Sequence, residues 1–130
     1  MNTYLINMYS FIVTLLLIPF LRNIDGNPRT YKKSAKIFMV NIDNTICNTN
    51  CSDYIMSEPI LENIEFFNEL YERGNIIHYW TSRGMNTGKN WDVFTISQMK
   101  AWNVKYDTLN MNKPNYDYWI DDKAINIQDL

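Results

Sequence analysis

The sequence is poor in metal-binding side chains and has no excess of charge of either sign. One histidine, His78, and two cysteines, Cys47 and Cys51, occur in 130 residues. A structural zinc site wants four converging ligands, and here the cysteines stand four apart in one segment while the histidine lies in another. The cysteines therefore read as two reduced thiols of an intracellular protein. Twelve basic residues against 14 acidic ones leave a formal net charge of −2. That balance gives no whole-chain electrostatic case for nucleic-acid binding, and it leaves a small anionic substrate open. Basic residues are also missing ahead of the first apolar run, so the positive start of a secretory signal peptide is not there.

What is present is globular: 46% of residues are hydrophobic and 15% aromatic, in a length that suits one domain with a real core. Asparagine fills 18 positions. Three regions can be marked off. Residues 1–22 carry the nearly uncharged run 4–21, at the short end of what spans a bilayer as a helix. Asn7, Ser10, Thr14 and Pro19 interrupt it, and Arg22, Arg29, Lys32, Lys33 and Lys36 follow it. It is a candidate membrane anchor with the rest of the chain on the cytoplasmic side; the alternatives are a cleaved signal and an apolar segment that packs on a partner. Residues 23–35, with Asp25-Gly26-Asn27-Pro28, read as a linker. Residues 36–130 form the domain.

Within the domain, apolar runs and amphipathic segments alternate. Ile37–Val40 is a short continuous apolar run, expected as a strand buried on both faces of a parallel sheet. Residues 44–57 are polar and aperiodic, a loop. Ser57-Glu58-Pro59 is expected to open a helix whose apolar positions are Ile60, Ile64, Phe67 and Tyr71 and whose stop is Gly74. A second strand is expected over 75–80, a second helix from Trp91 to Trp102, a third strand over 104–109 and a fourth over 116–120, with a last half-helix after it. His78, flanked by apolar residues, reads as a packed histidine rather than a catalyst, and the four tryptophans read as core or helix-face residues. This alternation predicts a parallel α/β domain with right-handed crossovers.

Each expected strand runs into polar residues: Asn41, Asp43 and Thr45 after the first, Thr81, Ser82 and Arg83 after the second, Lys113 after the third, and Asp121 and Asp122 after the fourth. The carboxyl ends of strands in an open α/β sheet are where ligands bind. Taken singly each residue has a plainer reading, Asp43 as a turn residue, Thr81 as a cap, Lys113 as a solvated lysine and Arg83 as a surface residue. As an ordered set they resemble the four motifs of the haloacid-dehalogenase-like phosphohydrolases. The first motif of that family is an apolar run followed by Asp-x-Asp-x-Thr, which this chain matches at Asp43 and Thr45. It departs at position 41, where Asn41 stands in place of the nucleophilic aspartate.

The resemblance implies a Rossmann-like three-layer sandwich with a small parallel sheet, and phosphomonoester hydrolysis with Mg²⁺. By it, position 41 would hold the nucleophile and Asp43 the general acid and base. Thr45, Thr81, Ser82, Arg83 and Lys113 would meet the phosphoryl group and substrate. Asn41, the Asp43 main-chain carbonyl, Asp121 and Asp122 would hold the metal. Preset donors and cations are what phosphoryl transfer needs, because charge builds on the equatorial oxygens. An amide at position 41 is a poor nucleophile, so the expected activity is compromised there. No cap domain is inserted between the motifs, which implies closure by a homo-oligomer neighbour or a large open substrate. Sugar phosphates are the leading substrate class by analogy with small proteins of this kind. The alternatives are a non-catalytic phosphate- or metal-binding protein that regulates a partner, and the phosphatase module of a polynucleotide end-repair enzyme, which the lack of a basic stripe disfavours.

Overall fold

The structure is a computed structural model that describes residues 29–130. The apolar run 4–21, with the readings placed on it, lies outside the described residues. No helix among the described residues is long and apolar enough to cross a membrane.

The domain is α/β, with a small parallel three-stranded sheet and two helices. In chain order the elements are β1 (Ile37–Val40), β2 (Cys47–Asn48), β3 (Glu58–Pro59), α1 (Leu61–Glu72), β4 (Ile76–Trp80), α2 (Asp92–Ala101) and β5 (Thr108–Asn110), with a short 3₁₀ turn at Ile127–Asp129. The main sheet has the order β1-β4-β5, all parallel. Ile37 pairs with Ile76, and His78 with Thr108.

Two successive crossovers that step the same way along a sheet, both right-handed, put both helices on one face. The burial agrees. Val40 of β1, Ile77 and Tyr79 of β4, Ile64, Phe67 and Tyr71 of α1 and Met99 of α2 belong to one buried cluster. On the other face Ile37 is 64% exposed and Met39 58%. This corrects the expectation that β1 is buried on both faces: among the described residues only one helical layer covers the sheet.

Both helices end in the same way. After α1 the Gly74 N–H bonds the Tyr71 carbonyl and the Asn75 N–H that of Leu70, with Gly74 at φ +81°. After α2 Asn103 takes the left-handed position at φ +55° and the bonds run Asn103 to Lys100 and Val104 to Met99. Gly and Asn are the residues that accept this conformation at least cost.

Three boundaries differ from expectation. Glu58 and Pro59 do not open α1; they pair antiparallel with Cys47 and Asn48, and the Ile60 N–H is drawn to the Ile46 carbonyl at 2.9 Å. Proline tolerates this short ribbon because it has no N–H to satisfy. The third strand begins at Thr108 rather than 104, since Asp107 uses its carboxylate to accept the Ile77 N–H at 2.8 Å, where a strand would use a main-chain carbonyl. Residues 116–120 form no strand. Ile120 is 96% exposed, and Trp119 is held by its ring against Trp80 and Tyr116. Asp117 interrupts the apolar run there, and Pro114 stands just ahead of it.

Ahead of β1, residues expected as linker are seated on the domain. Arg29 forms an ion pair with Asp107 at 2.5 Å, donates to the carbonyls of Tyr71 and Asn75 and stacks on the Tyr71 ring. His78 is half-buried, with Nδ1 2.7 Å from Thr108 Oγ1.

Candidate active site at the strand ends

The chain turns sharply after β1, and two isoleucines fix the turn. Ile42 and Ile46 are fully buried, and the N–H groups of Thr45 and Ile46 both bond the Ile42 carbonyl. Asn44 supplies the left-handed residue, at φ +57°. With alternate residues sunk in the core, Asn41, Asp43 and Thr45 are left on the polar side. The loops after β4 and β5 are tied to each other by main-chain bonds, Thr81 N–H to Asn110 and Lys113 N–H to Thr81. That tie carries Lys113 to the end of β1.

Asp43 and Arg83 make the centre of the cluster. Arg83 Nη2 reaches Asp43 Oδ1 at 2.7 Å and Nε reaches Oδ2 at 2.9 Å, a bidentate pair of the strong kind. Thr49 Oγ1 donates to Oδ1 at 2.7 Å and Thr81 Oγ1 to Oδ2 at 3.5 Å. The Arg83 side chain has no exposure, and that of Asp43 has 20%. Helix α2 holds the guanidinium from behind, with Gln98 Oε1 at 2.8 Å and Thr95 Oγ1 at 3.3 Å, and the Tyr54 ring lies over it. The Cys47 thiol, 3.9 Å from Arg83, is pushed above its ordinary pKa by burial.

Asn41 is bonded to the main chain of the same turn. Its Nδ2 donates to the Asp43 main-chain carbonyl at 2.7 Å and to Thr45 Oγ1 at 3.4 Å. Its Oδ1 accepts from Lys113 Nζ at 3.4 Å. Lys113, only 9% exposed, also touches the Tyr116 hydroxyl at 3.0 Å and lies over the Tyr116 and Trp119 rings.

The structure thus joins Asn41, Asp43, Thr45, Thr81, Arg83 and Lys113 in one hydrogen-bonded cluster. Arg83 is neither a surface residue nor directed outward: it is an interior counter-ion. Ser82 is not in the cluster; it lines a neighbouring cleft of about 170 Å³ with Tyr54, Lys89, Trp91 and Asn115. Gly84 shapes that cleft, because at φ +83° any Cβ there would lie 2.2 Å from the Lys89 carbonyl oxygen. Asp121 and Asp122 are exposed, and Asp121 Oδ1 accepts the N–H of Lys123 at 2.7 Å. Among the described residues no group of three His, Cys, Asp or Glu stands ready to hold a metal ion. Sequence reasoning passed over Thr49, Thr95, Gln98 and Tyr116. The one signal for Thr95 and Gln98 was their place on the otherwise apolar side of α2, beside Phe94, Met99 and Trp102.

No family model matches the chain, and no curated protein matches it. It is similar to the crystal structure of a structural-genomics target from Vibrio cholerae, with 28% identity over 72% of this chain and 85% of that one and a TM-score of 0.65.

Proposed function

We propose that the strand ends form a phosphoryl-group site of the haloacid-dehalogenase-like kind, on a Rossmann-like sheet, in which a phosphomonoester is bound and the covalent step of hydrolysis is lost. The observation that carries this reading is the buried Lys113 ammonium held 3.4 Å from Asn41 at the carboxyl end of β1. An enclosed cation whose near partners, the Asn41 amide oxygen, the Tyr116 hydroxyl and two aromatic rings, are all uncharged suits an anionic group such as phosphate. Sugar phosphates are the leading class, since the cleft beside Ser82 is small and lined with hydroxyl, amide and indole groups.

Two features favour binding over turnover. Asn41 offers an amide oxygen where the family places a carboxylate nucleophile. Asp43 has both carboxylate oxygens engaged by Arg83, Thr49 and Thr81, so a leaving-group oxygen would have to displace one of these partners, the weakest being Thr81 at 3.5 Å. The Mg²⁺ that the resemblance implies does not fit the groups present. It wants near-octahedral oxygens with one or two carboxylates, whereas here Asn41 Oδ1 faces the Lys113 ammonium, the Asp43 main-chain carbonyl accepts from Asn41 Nδ2, and Asp121 and Asp122 are exposed and outside the cluster.

The test is hydrolysis of p-nitrophenyl phosphate with Mg²⁺ by the full chain and by Asn41→Asp. The wild-type rate should sit at background, and the variant should gain on the order of 10³-fold or more, the scale on which enzymes lose rate when a nucleophile is removed. A folded Asn41→Asp variant that stays at background would sink the phosphatase ancestry of the site. Wild-type turnover as fast as the variant's would make the protein a working phosphohydrolase instead.

A further inference from the structure

We propose that Asn41 does within the chain what a divalent cation does in a carboxylate-based phosphoryl site, so that this site takes a phosphate dianion without Mg²⁺. The inference rests on the phosphate-binding reading above. Its ground is the direction of the Asn41 amide, which its partners leave no freedom to reverse. Lys113 Nζ can only donate, so the amide atom facing it at 3.4 Å is the oxygen. The Asp43 main-chain carbonyl can only accept, so the atom facing it at 2.7 Å is the nitrogen. The other amide hydrogen goes to Thr45 Oγ1.

Consider an aspartate in the same place. One carboxylate oxygen would accept from Lys113, and the other would face the Asp43 carbonyl oxygen with no proton between them. Two acceptors at that separation need a cation to bridge them. In Asn41 an N–H group replaces that second oxygen and donates to the Asp43 carbonyl. The charges follow the same logic. Arg83 neutralises Asp43 within a bidentate pair, and Asn41 is uncharged, which leaves Lys113 as the one unmatched charge of the cluster. A dianion entering there meets a net positive site. With aspartate at 41 the Lys113 charge would be cancelled and an added cation would be needed to admit the dianion. Asn41 is thus a positioning residue: it orients the Asp43 carbonyl and leaves the Lys113 charge free for the ligand.

The experiment is calorimetric titration of inorganic phosphate into the full chain, once with excess EDTA and once with excess Mg²⁺, for wild type and for Asn41→Asp, with circular dichroism to check folding. Wild type should bind phosphate with the same Kd, within about a factor of two, in both buffers, whereas Asn41→Asp should lose about tenfold or more in EDTA and recover it with Mg²⁺. Wild-type binding that appears only with Mg²⁺ would overturn the inference and leave the phosphate-binding reading standing. No binding by wild type in either buffer would overturn that reading itself. A folded Asn41→Asp variant that binds equally well in EDTA would also overturn the inference, by removing Asn41 from it. Should the variant fail to fold, the wild-type comparison between the two buffers still decides.

Discussion

Asp43 and Arg83 are 40 residues apart in the chain, and their contact fixes the turn after β1 to the turn after β4. A buried ion pair of this kind adds little over a well-packed apolar pair, because desolvation offsets the attraction, but losing one partner strands the other. Arg83→Leu should therefore destabilise by about 3 kcal/mol, the low end of the range for such deletions since Asp43 keeps some exposure to water. The melting temperature should fall by roughly 12–24 °C. Arg83→Lys, which keeps the charge and loses the fork, should fall between. A Leu variant that melts with wild type would show that the pair carries no stability. Asn41, Asp43, Thr45, Thr81 and Lys113 stood out because their polarity contrasts with the apolar runs before them, but the same contrast also marked Ser82, Asp121 and Asp122, which lie outside the cluster. The role of Arg83 was not legible. A charge beside a strand end reads as outward-facing unless its acceptors, here Thr95 and Gln98 on α2, are recognised as inward-facing polar groups.

At the level of elements, the start of the segment ahead of β1 is secured by the side chains of Arg29 and Tyr31. Tyr31 donates to Asp107 at 2.7 Å beside the Arg29 pair. Burial first, and the hydrogen bond to the Asp107 carboxylate next, push its phenol from 10.0 up to about 12. A group whose folded value lies above its unfolded value stabilises fully below the unfolded value, and that contribution is lost as pH rises through the folded one. Stability should accordingly fall between pH 10 and pH 12, and Tyr31→Phe should flatten that part of the profile in urea melts taken across the range. An identical alkaline slope in the Phe variant would remove Tyr31 from the account. Nothing in the local pattern around Arg29 announced this seat. Its partners, Asp107 and the carbonyls of Tyr71 and Asn75, lie at the far ends of other elements, and the sequence-level marks of a linker, Gly26 and Pro28, stop just short of it.

At the scale of the whole molecule, the sheet has, among the described residues, one face covered by helices and one exposed face. Ile77→Ala should cost about 2–5 kcal/mol, because Ile77 is fully enclosed among α1 and α2. Met39→Lys, one strand over and 58% exposed, should stay within about 0.5 kcal/mol. Chemical denaturation of the two variants measures this directly; comparable losses in both would mean that something covers the second face. Element type and order were legible over most of residues 36–110, since apolar runs and 3.6-residue periodicity both reflect burial on the helical side. The misreadings came where burial and backbone pairing part company. Ile37 and Met39 are apolar and exposed, and Tyr118 and Ile120 have strand-forming side chains without a neighbouring strand to pair with.

The parallel register also bears on how fast the chain folds. Ile37 must find Ile76 and His78 must find Thr108, so each rung of the main sheet closes a loop of roughly 30–40 residues before any pairing energy is gained. The short-range pairings among the described residues, Cys47 with Pro59 and the single bridge Asp43 with Cys47, lie outside the main sheet and cannot nucleate it. Assembly then waits on α1 and α2 to shorten the search, which places refolding between the fast helical bundles and the slower all-β topologies.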